Sequence, residues 1–223
     1  MTQIKYQAVI FDLDGTLIDS MHIWRKVDQE FLGKRGLTVP PDLFDHLPQG
    51  NSYIQTAQYF KDRFQLNDTV EDIMSEWTRL VVWHYENSIP LKPRVKHVIE
   101  WLAEKNIPLA IGTSNSLELA LAALKQHKLQ DYFQTIVSGC REIRGKPYPD
   151  IYLKAAEELK VSPENCIVIE DTLSGILAAK NAGMHTIAIY DADADDQRNE
   201  INAEADFPAT DYMEVLEYLE GLL

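Results

Sequence analysis

An apolar run, Val9-Ile10-Phe11, that stops abruptly in Asp12-Leu13-Asp14-Gly15-Thr16 constrains this chain more than any other segment. Alternate residues of a strand share a face, so a strand ending here sends the Asp12 and Asp14 carboxylates out on the same side. Gly15 lets the backbone turn away at once and leaves both at the rim of a sheet, where open α/β sheets bind their ligands. Like charges held this close repel unless a proton or a cation intervenes, and the hard cation Mg²⁺ fits two carboxylates. The competing reading is an aspartate-rich turn after a buried strand. The rest of the chain decides between them.

Five segments read as short buried strands, each running into a turn signal: Ala8 to Asp12, Leu109 to Thr113, Thr135 to Ser138, Ile167 to Asp171 and Thr186 to Tyr190. Amphipathic helices lie between the later ones, as in the shared face of Val95, Val98, Ile99 and Leu102. This alternation predicts an α/β fold, a Rossmann-like parallel sheet with helices on both faces. From Asp19 to about Pro90 the alternation stops and only helical patterning is left. Trp24, Val27, Phe31 and Leu32 mark one helix; Tyr53, Ala57, Phe60 and Phe64 a second; Val70, Ile73, Met74, Trp77, Leu80, Val81 and His84 a third. We therefore expect a catalytic core of residues 1–18 and 91–223, and an inserted all-helical cap of residues 19–90. A cap at the mouth of a catalytic rim excludes water.

The net charge of −14, from 35 acidic and 21 basic residues, argues against nucleic-acid or anionic-membrane partners, which need a basic surface. An anionic substrate must then be received by a metal and a few well-placed cations. There is no apolar run of spanning length and no signal-peptide pattern, so the cytoplasm is the expected address. Cys140 and Cys166 lack metal-ligand spacing and are expected to pack as small apolar groups. The acidic run Asp191 to Asp196 lacks the glycine and terminal glutamate of a calcium loop and reads as solvated. Without heptads or repeats, a monomer or weak homo-oligomer is expected.

Three more strand ends carry chemistry. Thr113-Ser114-Asn115 offers hydroxyls and helix-N-terminal amides, good phosphate partners as well as ordinary caps. Gly145-Lys146-Pro147-Tyr148-Pro149 holds a lysine in a stiffened turn, where it can neutralise a phosphoryl oxygen. Ile167-Val168-Ile169-Glu170-Asp171 is the second apolar strand to end in paired acids. Asp12, Asp14, Glu170 and Asp171 together make a hard-oxygen metal site suited to Mg²⁺.

In order along the chain, Phe11-Asp12-Leu13-Asp14-Gly15-Thr16, Thr113, Gly145-Lys146-Pro147 and Glu170-Asp171 resemble the four motifs of the haloacid dehalogenase superfamily of phosphotransferases. The helical insert resembles the cap of its β-phosphoglucomutase-like and phosphatase branch. The resemblance implies Asp12 as nucleophile, forming an aspartyl-phosphate, and Asp14 as general acid and then base. It implies Mg²⁺ on the Asp12 carboxylate, the Asp14 backbone carbonyl and Asp171, with Glu170 supporting directly or through water. Thr113 and Lys146 would bind the phosphoryl oxygens as charge builds. The dehalogenases proper have no second aspartate at the position of Asp14, since a halide needs no proton to leave.

The expected activity is a Mg²⁺-dependent phosphatase acting on a small phosphorylated metabolite, a sugar phosphate by preference. The alternative is a sugar phosphomutase. Known mutases carry lysine where this chain has Gln49, arginine where it has Tyr53 and histidine where it has Trp24; they usually have valine at Thr16. A receiver domain uses similar residues, but it lacks a long insert after the acceptor strand and places its acidic pair before the acceptor. Substrate-binding candidates are Thr113, Ser114, Asn115 and Lys146 in the core and Gln49 and Asn51 in the cap, with His22, Arg25 and Tyr53 as further cap residues to place.

Overall fold

Short strands that are buried on both faces read as continuous apolar runs, and β1 (Ala8–Phe11) is fully buried for this reason. The computed structural model describes residues 6–43, 52–139 and 143–223. Beside β1 lie β2 (Leu109–Thr113), β3 (Thr135–Ser138), β4 (Cys166–Glu170), β5 (His185–Ile189) and β6 (Phe207–Ala209). All pairings are parallel, in the order β3-β2-β1-β4-β5-β6. Five strands fall where the sequence places them, within a residue at their ends. The short β6 was not expected: it contains Pro208, which cannot donate to a ladder and is tolerated at the sheet's edge, where β6 lies.

Strand parity sorts the core. Val9 and Phe11 join the cluster that holds α4 (Val95–Glu104), α5 (Leu117–His127) and α9 (Tyr212–Leu222). Ala8 and Ile10 join the cluster formed with α6 (Asp150–Leu159) and α7 (Leu173–Asn181). The chain builds outward from β1 through β2 and β3, then crosses back and builds the other way from β4. The switch point falls between β1 and β4, where ligands of such sheets bind. Phe11 pairs with Ile169, which brings Asp12 and Glu170 to the same level at that point.

The cap occupies the β1-to-α4 interval. Its helices α1 (Met21–Gly33), α2 (Tyr53–Arg63) and α3 (Val70–Asn87) share an aromatic centre. Phe31 and Phe60 stand edge-on to Trp77 at 5.5 and 4.9 Å. Capping boxes at Ser52/Gln55 and Thr69/Asp72 start α2 and α3. The chain leaves and re-enters the core side by side: Ile18 bridges Leu91, with Asp19 N–H on Pro90 O at 3.0 Å and Lys92 N–H on Leu17 O at 3.0 Å. The cap also touches the rim, since Tyr53 N–H donates to Ser114 O at 3.2 Å. Among the described residues, no helix is long and apolar enough to cross a membrane.

Candidate active site

At the end of β1, Asp12 meets a lysine from far along the chain. Lys146 Nζ lies 2.5 Å from Asp12 Oδ1 and 2.5 Å from Glu170 Oε1, and all three side chains are buried. The lysine reaches inward from the Pro147–Pro149 turn, whose Lys146–Pro147 peptide is cis, with its ammonium 5.2 Å from the Tyr152 ring centre. Glu170 Oε1 also accepts from the Tyr152 hydroxyl at 2.9 Å, while Oε2 accepts the Asp171 and Thr172 N–H groups at 2.8 and 2.9 Å. This carboxylate sits under the start of α7, where anions are favoured. An added Cβ on Gly175 would lie 1.7 Å from Glu170 Oε1, so the helix can pass over the carboxylate only with glycine there. Asp171 accepts from Thr16 Oγ1 at 2.8 Å and lies against Gly15, whose φ of +82° and 2.3 Å Cβ-to-Oδ2 approach both exclude a side chain.

Asp12, Glu170 and Asp171 each offer a carboxylate oxygen, with these atoms all within 4.8 Å of one another. Burial, only partly offset by Lys146, and the charges of Glu170 and Asp14 push Asp12 up to about 8. Burial and the charges of Glu170 and Asp12 push Asp171 well above its ordinary value. Burial also works against the Glu170 anion, yet Lys146 and its hydrogen bonds bring it below the usual range. Burial alone would lower Lys146, but Asp12 and Glu170 hold it firmly cationic. With all three carboxylates ionised beside the ammonium, the buried site would carry two negative charges, which a divalent cation would neutralise. The oxygen donors fit a hard cation.

Asp14 is held apart from this cluster, by a second network. Ser20 Oγ donates to its Oδ1 at 2.6 Å, Asn115 Nδ2 to its Oδ2 at 3.0 Å, and the Tyr85 hydroxyl to Oδ1. The Tyr85 oxygen in turn accepts from Trp24 Nε1 at 3.0 Å and Asn115 Nδ2 at 2.9 Å. Burial and the Asp14 charge push the Tyr85 phenol well above its ordinary value, so it stays a donor. Of the expected phosphate binders, Thr113 is buried at the rim, and its Oγ1 accepts the Asn115 N–H at 3.0 Å. The Asn115 amide serves Asp14 and Tyr85, and the Ser114 carbonyl serves Tyr53.

A cavity of about 500 Å³ opens between core and cap, reaching Asp12, Asp14, Thr113, Ser114, Asn115, Lys146, Glu170 and Asp171 on the core side. Trp24, Arg25, Asp28, Tyr53, Thr56 and Trp77 line the cap side. Gln49 and Asn51 lie outside the described residues. Arg25 is ion-paired with Asp193. His22 faces Asp19 at 3.8 Å and does not reach the cavity. Arg144 pairs with Asp150 at 2.7 Å on the exterior. In the acidic run Asp193, Asp195 and Asp196 are exposed, as expected, the first and last of them at the mouth of the cavity, while Asp191 is buried and holds Lys92 at 2.7 Å. Sequence reasoning missed Ser20, Asp28, Tyr85 and Tyr152. Asp28 carried a signal: an acid in the apolar stripe of α1, one turn after Trp24 and one before Phe31.

The family described as haloacid dehalogenase-like hydrolase matches residues 9–189. The chain belongs to this family. It is 32% identical to hexitol phosphatase A of Escherichia coli, covering 89% of this chain and 90% of that one. It is 30% identical to a phosphorylated carbohydrates phosphatase of Thermotoga maritima, covering 81% and 83%. The crystal structure of CbbY from Rhodobacter sphaeroides in complex with phosphate superposes with a TM-score of 0.84 at 28% identity, covering 94% and 96%. The hydrolase falls in the capped, β-phosphoglucomutase-like branch of the family. It is a phosphoric monoester hydrolase.

Proposed function

We propose that this hydrolase is a Mg²⁺-dependent phosphatase that cleaves a small sugar or polyol phosphate through an aspartyl-phosphate. The carrying observation is at the end of β1: Asp12 ion-paired to buried Lys146, with Asp14 two residues on in a separate network of donors. The names of the relatives, hexitol phosphatase and phosphorylated carbohydrates phosphatase, support the substrate class.

In this reading Asp12 attacks phosphorus and displaces the alkoxide, which takes a proton from Asp14. Asp14 then removes a proton from the water that opens the aspartyl-phosphate. Lys146 and the Thr113 hydroxyl bind phosphoryl oxygens as negative charge builds. Asp12, Asp171 and the Asp14 backbone carbonyl would hold Mg²⁺, with Glu170 in support, and the cation would offset the charge of nucleophile and phosphate. Core residues 1–18 and 91–223 and cap residues 19–90 are the proposed units, supported by the paired crossing at Ile18 and Leu91. The proposed setting is the cytoplasm, with the enzyme a monomer or weak homo-oligomer.

A mutase must grip a second phosphate. Among the described residues, the cavity's lysines and arginines are Lys146 and Arg25; the first serves the reaction centre and the second is taken by Asp193. The test is phosphate release from sugar phosphates, nucleotides and small esters, with Mg²⁺ or EDTA, and with Asp12→Asn as control. Metal-dependent release lost in Asp12→Asn is the expected result. Interconversion of hexose 1- and 6-phosphates without release would replace the phosphatase by a mutase.

A further inference from the structure

A lysine ammonium ends a flexible four-carbon stem and keeps one position only where its surroundings fix it. Lys146 has such surroundings, and one residue touches both members of its ion pair with Glu170. Tyr152 stands on the first turn of α6, shortly after the turn that carries Lys146, so one short segment supplies the lysine and its neighbour. The Tyr152 ring centre is 5.2 Å from the ammonium, within cation–π range. Its hydroxyl donates at 2.9 Å to Glu170 Oε1, the same oxygen that takes Lys146 at 2.5 Å. Glu170 Oε2 is engaged by the Asp171 and Thr172 N–H groups and by Thr172 Oγ1 at 3.1 Å. The sheet makes room for the ring. A Cβ on Gly112, in β2, would lie 3.0 Å from Tyr152 Cε1, closer than side chains ordinarily pack. Tyr152 is fully buried and is not among the residues lining the cavity, so it acts on a substrate only through others.

We propose that Tyr152 is a positioning residue that holds Lys146 in place for the transferring phosphoryl group, acting through Glu170. The inference rests on the phosphatase reading and adds a residue to its machinery. An ammonium has three hydrogens; Asp12 and Glu170 take two, which leaves one for a phosphoryl oxygen. The direction of the third follows from where the other two acceptors sit. Once Asp12 engages phosphorus, Glu170 is the acceptor that still anchors the ammonium. Phenylalanine at position 152 would fill the same space and keep a ring beside the ammonium, but it would leave Oε1 to Lys146 alone. A carboxylate gripped by the backbone at one oxygen then pivots about that oxygen, and the ammonium moves with it. The Tyr152 hydroxyl thus serves the reaction beyond filling the core.

The test is Tyr152→Phe in the Mg²⁺-loaded enzyme, read by kinetics and by the NMR signal of the Lys146 ammonium in isotope-labelled protein, assigned by its absence in Lys146→Met. We expect kcat to fall about tenfold with KM changed by no more than about twofold, since the lysine's hold on the phosphoryl group tightens as charge builds. Hydrogen exchange at the ammonium should be slow in the parent and faster in Tyr152→Phe. An unchanged kcat or an unchanged exchange rate overturns the assignment. Recovery of full kcat at higher Mg²⁺ also overturns it, because the hydroxyl would then serve the cation site. Should Tyr152→Phe fail to fold, Gly112→Ala, whose Cβ presses on the Tyr152 ring, decides instead. A milder loss of kcat with faster exchange supports the assignment, and parent values of both overturn it. Absence of Asp12-dependent phosphate release from every ester sinks the phosphatase reading, while the exchange rate still decides whether Tyr152 holds Lys146.

Discussion

The Tyr85 hydroxyl donates to the carboxylate of Asp14. Trp24 Nε1 and Asn115 Nδ2 can only donate, and both point at the Tyr85 oxygen, so the phenol's own hydrogen turns to Asp14. A cap residue thus orients the side chain proposed as acid and base.

Tyr85→Phe removes this donor while keeping the ring in the cap's core. We expect kcat to fall about tenfold for alkyl esters, whose leaving groups need a proton, and much less for aryl esters, whose leaving groups do not. Rates for a series of esters of graded leaving-group pKa check this. An equal loss along the series would mean Tyr85 serves the fold only.

The carboxylate cluster predicts a pH-dependent gain from a divalent cation. Asp12 is raised to about 8 from an ordinary 3.8, and Asp171 is raised too. For such groups the folded state holds the proton more tightly, so their contribution is full below about pH 4 and is lost as pH rises through 8. A cation bound between them would keep both as anions without that loss. The rise in Tm on exchanging EDTA for Mg²⁺ should therefore grow from pH 5 to pH 8. A rise that is constant or shrinks over this range would argue against the cation site.

Asp28 carries a pH dependence of its own. Burial raises it from 3.8 to about 7, so its contribution is full below pH 4 and lost as pH rises past 7. The shift corresponds to about 4 kcal/mol at most. Asp28→Asn carries no such titration, and its Tm should exceed that of the parent by several degrees at pH 8 and by much less at pH 5. Melting curves at the two pH values decide it; a pH-independent difference contradicts the burial argument.

Gly175 and Gly183 offer a paired comparison. Alanine at position 175 gains helix propensity but drives a Cβ into the Glu170 carboxylate, displacing the partner of Lys146. Alanine at 183 meets nothing within 4 Å and suffers only the strain of a φ of +76°, roughly 1–2 kcal/mol. Gly175→Ala is expected to cost more stability, together with most of the activity, and Gly183→Ala to cost stability alone. Urea titrations and phosphate-release rates on both variants test the contrast.

The parallel core was legible because each central strand is apolar on both faces and stops at a polar cluster, as Val9 to Asp12 and Ile167 to Asp171 do. The cap was legible because helical periodicity replaced strand signals over a long interval. The edge strand was not: three residues around a proline carry no period. Of Asp12, Asp14, Glu170 and Asp171, named together as a metal site, the structure groups the carboxylates of Asp12, Glu170 and Asp171 around Lys146, and it holds the Asp14 side chain in a network of its own. The Asp14 network was hidden, because Tyr85 looks like one more aromatic of α3 until the fold sets it against a residue 71 positions away. Asn115 was expected to face phosphate, but no spacing rule reveals that its amide is claimed by Asp14 and Tyr85. Asp28 was readable in principle as the one acid in an apolar stripe.

Asp12 and Asp14 are separated by a single leucine, yet they answer to different halves of the molecule. The first is clasped wholly from the core, by Lys146; the second is also grasped by Ser20 and Tyr85, beyond the point where the chain crosses out at Ile18. Were the cap to lift from the sheet, Asp14 would keep Asn115 but lose Ser20 and Tyr85. The alignment of the acid is thus tied to the seating of the cap through two hydroxyls.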